Sequence, residues 1–348
     1  MLAYAWRCAA ERGNTKASIA SVASERYATT SCGEGVHYGI ASSGALVYVP
    51  DSGSNSEDSI VWVDREGRTE ALPIPRGNYE EPRLSPEGDR LALHVKPDIW
   101  IYDVSRGTKI RLTRGEADDF EPVWTPNGER VTFSSYRNGA ANLYWQRSDG
   151  SGEAEQLSVS EFDQFPTSWS PDGQVLLFAG FNGDKGLDVW SLGLGEDRRP
   201  EPLLANPYDE WTPKFSPDGC WLAYVSGESG RREVFVRPYP DLDPKIPIST
   251  EGGVEPVWNP AKPELFYRSD DRLMCVTYTT DDGFRPTRTE VLFEGTFKLS
   301  APGFPNYDVS ADGEKFAMIE TSETGTPSTQ IHLVLNWLDE LKRLSTAD

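Results

Sequence analysis

The chain has 348 residues, of which 55 are acidic and 34 are basic, and its formal net charge at pH 7 is −21. Nucleic acids bind to basic surfaces, so this charge argues against a nucleic-acid partner and favours basic or cationic ones. The four scattered cysteines form no Cys-x-x-Cys pair, which argues against a structural zinc site or a disulfide-stapled fold. No apolar run reaches about 18 residues, so we expect no membrane insertion of this chain.

The first 16 residues show no periodic pattern, and we expect a loose segment over residues 1–16. Arg7, Glu11 and Arg12 interrupt the apolar stretch that a signal peptide would need. This absence favours a cytoplasmic location. A fragment of a membrane-anchored protein would instead place the chain outside the cytoplasm.

A short sequence motif recurs along the chain: an apolar residue, Ser or Thr, Pro, an acidic residue or Asn, and Gly. Clear copies begin at Leu84, Trp124, Trp169 and Phe215, and weaker copies begin at Ile40, Trp258 and Val309. Successive copies lie 40 to 51 residues apart. A period in the forties with a turn at a fixed phase is typical of the four-stranded blades of a β-propeller.

The repeat that contains Trp124 shows how the motif fits into a blade. Residues 122–124 are predicted to form the first strand, and a tight turn follows because Pro126 fixes φ and Gly128 adopts the left-handed conformation. Alternating apolar residues predict the next strands at residues 131–133, 143–145 and 155–157. The other repeats follow this order, and their recurring Trp residues indicate packing between neighbouring blades.

The sequence therefore predicts an all-β, seven-bladed β-propeller with four antiparallel strands per blade, formed by residues 17–348 as a single, monomeric domain. Six blades are the fallback if residues 40–49 do not complete a blade. The last repeat supplies strands at residues 307–309, 315–318 and 332–335, and we expect residues 17–22 to add its fourth strand and close the ring. Apolar spacing predicts a short C-terminal helix over about residues 336–344.

The Ser-Pro-acidic-Gly copies at residues 85, 170 and 216 resemble the repeats of TolB-type propellers. A closer resemblance, to the C-terminal propellers of bacterial serine/threonine protein kinases, is carried by residues 46–50, 61–67, 164–169, 265–268 and 334–341. Together these segments span about residues 36–344. In such proteins the propeller is a sensing or protein-interaction module, which the resemblance implies here. No kinase motif occurs in the sequence, so the chain would be the propeller alone.

Equivalent positions just before each leading apolar residue should be related by rotation about the propeller axis, and should form rings at one mouth of the channel. The candidates carry carboxylate or aromatic groups: Glu81, Asp118, Phe120, Glu121, Asp163, Phe165, Asp209, Trp211 and Glu255. One interpretation is a funnel for a basic peptide, a cationic ligand or a divalent cation such as calcium. In the alternative, each Asp bonds loop amides and each Glu pairs with an Arg of the next blade.

Catalytic motifs are missing from the sequence. No Gly-x-Ser-x-Gly elbow occurs, and His37, His94 and His332 stand without a partner motif, so we interpret all three as structural or surface residues. The sequence thus favours a non-catalytic protein- or ligand-binding or sensory module that needs no cofactor. Two alternatives stay open: a lyase or hydrolase with a site in the channel, and a fragment without an independent role.

Overall fold

The computed structural model describes residues 38–40, 46–48, 57–181, 186–195, 198–299, 304–321 and 332–334. Strands, numbered in chain order from β1 to β27, are the regular elements of these residues. This part of the chain has no helix that is long and apolar enough to span a membrane. The chain divides into two units, one formed by Ser56–Ser322 and the other by the two chain ends, Met1–Asn55 and Glu323–Asp348.

The unit formed by the chain ends contains one antiparallel sheet of three strands. Its order is β1 (Tyr38–Ile40), β2 (Leu46–Tyr48) and β27 (His332–Val334). The described strands Tyr38–Ile40 and Leu46–Tyr48 therefore belong to this three-stranded sheet and not to a four-stranded blade. The third strand predicted for the last repeat, at residues 332–335, pairs instead with Leu46–Tyr48.

The unit Ser56–Ser322 consists of six antiparallel sheets of four strands each, which we number as blades 1 to 6. Blade 1 contains β5 (Glu80–Leu84), β6 (Arg90–Val95), β7 (Asp98–Asp103) and β8 (Lys109–Arg111). Blade 2 contains β9 (Asp119–Trp124), β10 (Arg130–Ser135), β11 (Asn142–Arg147) and β12 (Glu155–Gln156). Blade 3 contains β13 (Gln164–Trp169), β14 (Val175–Phe181), β15 (Leu187–Gly193) and β16 (Pro200–Leu204).

The remaining blades follow the same plan. Blade 4 contains β17 (Glu210–Phe215), β18 (Trp221–Ser226), β19 (Glu233–Pro238) and β20 (Ile246–Pro247). Blade 5 contains β21 (Val254–Trp258), β22 (Glu264–Ser269), β23 (Arg272–Thr279) and β24 (Arg285–Glu294). Blade 6 contains β25 (Tyr307–Val309), β26 (Lys315–Thr321), β3 (Asp58–Asp64) and β4 (Thr69–Ala71).

Blade 6 closes the ring, because it joins strands from both ends of the unit. β26 pairs with β3 along seven residues, from Lys315 opposite Asp64 to Thr321 opposite Asp58. The pairing leaves no open edge between the first and last blades. The all-β propeller is thus confirmed with six blades, the fallback number, rather than seven. Residues 17–22 and 336–344, predicted as a closing strand and a helix, lie outside the described residues.

The first strand of each blade faces the propeller axis. Each of these inner strands, β5, β9, β13, β17, β21 and β25, packs against the next one, and β25 packs against β5. Because every blade repeats the same strand order, all six inner strands begin at the same end of the axis. We call this end the front face.

The repeated Ser/Thr-Pro-acidic-Gly motif forms the turn between the first two strands of a blade. In blade 4 the Ser216 hydroxyl donates to Asp218 Oδ1 at 2.5 Å and accepts the Trp221 N–H at 2.9 Å. Gly219 follows with φ +73°, a conformation that glycine adopts without steric cost. Equivalent glycines in blades 1, 2, 3 and 6 have φ between +66° and +74°, which confirms the predicted turn.

The tryptophans at the ends of inner strands join neighbouring blades, as predicted. Trp124 is buried and donates its indole N–H to the Arg83 carbonyl of blade 1 at 2.9 Å. Trp258 donates in the same way to the Lys214 carbonyl of blade 4 at 3.0 Å. Each ring thus buries a large apolar area between two sheets while its one donor stays satisfied.

Candidate functional site

The inner strands of blades 1, 2, 4 and 5 share an unusual backbone feature. Three residues before the leading apolar residue, φ is +57° at Glu81, +52° at Glu121, +49° at Thr212 and +56° at Glu255. The register with the second strand shifts at the same place, which makes each of them part of a β-bulge. Non-glycine residues rarely adopt this conformation, so contacts around each bulge must hold it.

Side chains at these bulges lie in the wall of the channel and join one blade to the next. Glu81, Glu121 and Glu255 are 7%, 5% and 0% exposed. Asn306 Oδ1, at the equivalent position of blade 6, accepts the Glu81 N–H at 2.8 Å. Glu81 Oε2 in turn accepts the Glu121 N–H at 2.5 Å. The three predicted glutamates are therefore buried rather than an exposed ring, and the Glu81 carboxylate bonds the inner strand of the next blade.

A layer of charged groups lies two residues further along the inner strands. Asp308 Oδ2 accepts the Leu84 N–H at 2.8 Å, and Lys214 Nζ donates to the Thr167 carbonyl at 2.5 Å. Arg83 Nη2 lies 4.0 Å from Glu121 Oε2. Burial, with the nearby Arg83 charge, lowers the pKa of Lys214 to about 7.

Burial also raises the pKa of the Glu121 carboxyl well above its usual value, and the negative charge of Glu81 adds to this effect. Burial likewise raises the pKa of Asp308. The channel wall thus holds acidic and basic groups whose charged forms are both disfavoured by the loss of water.

The three predicted aspartates lie at the front face but have different partners. Asp163 Oδ1 accepts the Ala141 N–H at 2.7 Å, and Asp209 Oδ1 accepts the Leu187 N–H at 2.9 Å. Each therefore holds the start of the third strand in the preceding blade, as the structural alternative predicts. Asp118 faces a side chain instead, because its Oδ1 lies 3.1 Å from His94 Nε2.

The predicted aromatic residues form a cluster at the front face. The Phe120 ring stacks on Tyr136 with centroids 5.4 Å apart and lies 6.1 Å from Phe165. Phe165 in turn lies 6.1 Å from Phe181 and 5.6 Å from Phe304. We call these five residues the aromatic cluster. Because Phe165 and Phe304 belong to opposite sides of the ring, in blade 3 and just before blade 6, aromatic side chains lie across the axis there.

Trp211, the third aromatic residue predicted at the mouth, is buried beneath this surface. It belongs to the apolar core that also contains Phe304, with Phe165 packed against it. The Arg232 guanidinium lies 5.2 Å from the Trp211 ring centroid. Of the nine predicted residues, the structure brings together Phe120, Phe165, Asp118 and Asp163 at the accessible front face, where the Tyr136 hydroxyl donates to Asp163 Oδ2 at 3.4 Å.

His94 was interpreted from the sequence as structural or surface, yet it is the centre of a group of charged residues. It is 6% exposed, and its Nδ1 lies 3.6 Å from Glu80 Oε2. Burial opposes the charged imidazole, but the neighbouring carboxylates of Asp118 and Glu80 outweigh this effect and raise the pKa of His94 to about 10. Ligand atoms of Glu80, Glu81 and His94 all lie within 4.8 Å of one another, a spacing that can hold a metal ion.

The signal that could have found this group is the register of the predicted hairpin. Glu80 begins the inner strand of blade 1, and His94 is its direct partner on the second strand. The repeated sequence motif predicts both strands, so the pairing of Glu80 with His94 follows from the number of residues in the turn between them. The contribution of Asp118 does not follow, since it comes from the next repeat.

Residues 46–196 match the family described as the TolB beta propeller domain. The Tol-Pal system protein TolB of Bordetella parapertussis is 36% identical over 165 residues, which are 47% of this chain and 36% of that protein. The uncharacterized peptidase YuxL of Bacillus subtilis is 36% identical over 90 residues, 22% of this chain and 13% of that protein. The chain therefore spans much less than the full length of these curated relatives.

A solved structure from Agrobacterium tumefaciens, described as a candidate TolB, has the same fold. Its TM-score is 0.63 at 19% identity, over 77% of this chain and 99% of that one. At this identity the likeness concerns the fold alone. Residues 46–196 thus match the repeats of TolB-type propellers, and the six sheets between Ser56 and Ser322 form a six-bladed β-propeller.

Proposed function

We propose that this propeller is a non-catalytic protein-binding module that takes a basic segment of a partner protein at its front face. The observation that carries the proposal is the aromatic cluster, whose member Phe181 is 40% exposed. Phe162, in the loop that leads into β13, is 47% exposed, and the Phe181 N–H donates to the carbonyl of the next residue, Asp163, at 3.1 Å. Aromatic faces of this kind take the guanidinium and ammonium groups of Arg and Lys, and aromatic residues are enriched at protein interfaces.

Charge supports a basic partner. The chain carries a formal net charge of −21. Exposed or half-exposed carboxylates lie in the loops that lead into the inner strands of blades 2, 3 and 4: Glu116, Asp118, Glu161, Asp163 and Asp209. A surface of one sign steers an oppositely charged segment and raises its rate of association.

The relatives support the same class of role. The Bordetella relative is named as a protein of the Tol-Pal system, and we extend to this chain only the general role of a protein-binding propeller. The sequence resemblance to the propellers of bacterial serine/threonine kinases suggests a finer setting, the sensor part of a signalling protein. That setting is part of the proposal.

An enzymatic role has less support from the geometry. The relative in Bacillus subtilis is named as a peptidase. In the described part of this chain, however, the hydrogen bond made by His94 goes to a carboxylate rather than to a Ser or Cys nucleophile. Nucleophilic catalysis needs such a nucleophile within hydrogen-bond reach of its base. The charged group around His94 instead suits the binding of a cation.

The test is a fluorescence-anisotropy titration of the full chain with labelled 12-residue peptides rich in Lys and Arg, and with Glu-rich peptides as the reference. We expect binding of the basic peptides that weakens at least tenfold between 50 and 300 mM salt. The double variant Phe162→Ser/Phe181→Ser should lose at least tenfold in affinity. Val291→Ser, which removes a 43% exposed apolar side chain from the outer strand of blade 5, should bind as wild type does.

Two results would contradict the proposal. One is a set of basic peptides that binds no better than the Glu-rich reference. The other is a Phe162→Ser/Phe181→Ser variant that binds as tightly as wild type while keeping its circular dichroism spectrum.

A further inference from the structure

The bulge in the inner strand of blade 1 brings two consecutive carboxylates to one imidazole. On a regular strand the neighbours Glu80 and Glu81 would point to opposite faces of the sheet. The φ of +57° at Glu81 and the register shift after Glu80 break this alternation. One ligand atom from each of Glu80, Glu81 and His94 consequently lies within 4.8 Å of the other two.

The orientation of His94 is set from the far side of its ring. Nε2 lies 3.1 Å from Asp118 Oδ1, and this contact assigns an N–H to Nε2. A metal ion would therefore bind at Nδ1 and displace the proton that the surrounding carboxylates favour there. Nδ1, on the side of the two glutamates, is buried without a hydrogen-bond partner. The 3.6 Å to Glu80 Oε2 is beyond hydrogen-bonding range. In metal-bound histidines a carboxylate commonly accepts the N–H of one imidazole nitrogen and so orients the other nitrogen toward the metal.

Of the two carboxylates, Glu81 is suited to be a fixed ligand and Glu80 a movable one. Glu81 is nearly buried, and its Oε2 is held by the Glu121 N–H at 2.5 Å. Glu80 is half-buried, and its Oε1 lies 3.7 Å from Lys298 Nζ. The site is therefore rigid at Glu81 and His94, and it opens to solvent at Glu80, where an ion and a water ligand can arrive.

The donor set selects the kind of ion. Calcium and magnesium prefer oxygen ligands, whereas one imidazole nitrogen with two carboxylate oxygens suits zinc and other first-row divalent ions. Zinc ligands lie about 2.1 Å from the ion, so tetrahedral ligand atoms are about 3.4 Å apart. His94 Nδ1 and Glu80 Oε2 are already 3.6 Å apart, and the ligand atoms of all three residues lie within 4.8 Å of one another, so binding needs adjustments of about 1 Å.

We propose that His94, Glu80 and Glu81 bind one divalent transition-metal ion of the zinc class, and that Asp118 orients the imidazole. The site lies beside the aromatic cluster, since the His94 ring centroid is 6.2 Å from that of Phe120. The bound ion would join the two strands of the inner hairpin of blade 1, and His94 links this hairpin to Asp118 in the loop that leads into blade 2. The proposal does not depend on the peptide-binding role.

The first test measures zinc binding by the full chain after chelator treatment and dialysis. Isothermal titration with ZnCl₂ should give one equivalent bound at low micromolar or tighter dissociation constants. Co²⁺ in place of Zn²⁺ should give visible absorption bands of a nitrogen- and oxygen-ligated ion. Zinc should also raise the unfolding temperature, because it binds the native state. CaCl₂ should bind at least tenfold more weakly.

Variants assign the ligands. His94→Gln and Glu80→Gln should each weaken zinc binding at least 100-fold, and Asp118→Asn should weaken it about 10- to 100-fold with the stoichiometry unchanged. The double variant His37→Gln/His332→Gln, which removes the other two histidines, is the matched control and should bind as wild type does. If His94→Gln fails to fold by circular dichroism, Glu80→Gln decides, because that side chain is half-buried and leaves the hairpin intact.

Three results would overturn the assignment. They are no zinc bound by the wild type at 100 µM, unchanged binding by a folded His94→Gln or Glu80→Gln variant, or calcium binding as tight as that of zinc.

Discussion

Lys214 makes the stability of this propeller depend on pH in the neutral to alkaline range. It lies on the inner strand of blade 4, and burial with the nearby Arg83 charge lowers its pKa to about 7. The unfolded chain therefore binds more protons than the native one between pH 7 and about 10.5, so the free energy of unfolding rises with pH in this window. Lys214→Met removes the group and with it this dependence.

The size of the effect follows from the two pKa values. With a native value of about 7 and an unfolded value of about 10.4, the burial of Lys214 costs roughly 4 kcal/mol at pH 7 and roughly 1 kcal/mol at pH 9.5. The stability of Lys214→Met relative to wild type should thus fall by up to about 3 kcal/mol between these pH values. Lys214 keeps part of its surface accessible, so this figure is an upper limit. The lost bond to the Thr167 carbonyl shifts both points equally.

Urea unfolding followed by tryptophan fluorescence at pH 7.0, 8.0, 8.8 and 9.5 measures this difference. Lys109→Met, at an exposed lysine of blade 1, is the matched control, and its difference from wild type should stay flat. A flat difference for Lys214→Met as well would refute the reasoning, because it would mean that the ammonium stays charged in the channel wall.

Three further predictions concern the fold around the site. Gly107→Ala should cost at least about 3 kcal/mol of unfolding free energy in urea unfolding, since the added Cβ would lie 1.8 Å from the Pro73 carbonyl oxygen. The control Gly152→Ala, also at positive φ but with open space around it, should cost about 1 kcal/mol in the same assay. Arg137→Leu should cost about 3 kcal/mol by the same assay, because it strands Asp119, which is 1% exposed and bonded by Arg137 at 2.9 and 3.0 Å. Maleimide at pH 8, followed by peptide mass mapping, should label exposed Cys220 but not Cys275, because burial raises the pKa of the Cys275 thiol to about 11. Equal labelling of the two cysteines would contradict this prediction.

Much of the fold is a local property, which is why the sequence alone predicts it. The turn motif is held by hydrogen bonds between residues close in sequence, such as those of Ser216 with Asp218 and Trp221. The strands on either side follow from apolar alternation, and a fixed period implies that the same unit repeats. Positions such as Phe120 and Phe165 could therefore be predicted to meet, since the repeat makes them equivalent about one axis, and their rings are 6.1 Å apart.

The number of blades depends on a pairing between distant residues. β3 and β26 are separated by about 250 residues, and nothing within either strand states that they are neighbours. A third strand such as Asp58–Asp64 has the same pattern whichever blade it joins. Ring closure is decided by how many sheets fill the circle, a property of the packing between blades.

Tertiary structure alone also decided which acidic side chains are exposed and which are buried. Glu81 and Asp118 are both acidic residues before a leading apolar residue, yet Glu81 is buried and accepts the Glu121 N–H, whereas Asp118 is partly exposed at the front face. The difference comes from a left-handed bulge residue, whose backbone conformation redirects the side chain and is stable only because neighbouring blades bond it. A sequence pattern specifies the type of side chain at each position, whereas burial and bonding depend on groups that the folded ring brings there from other blades.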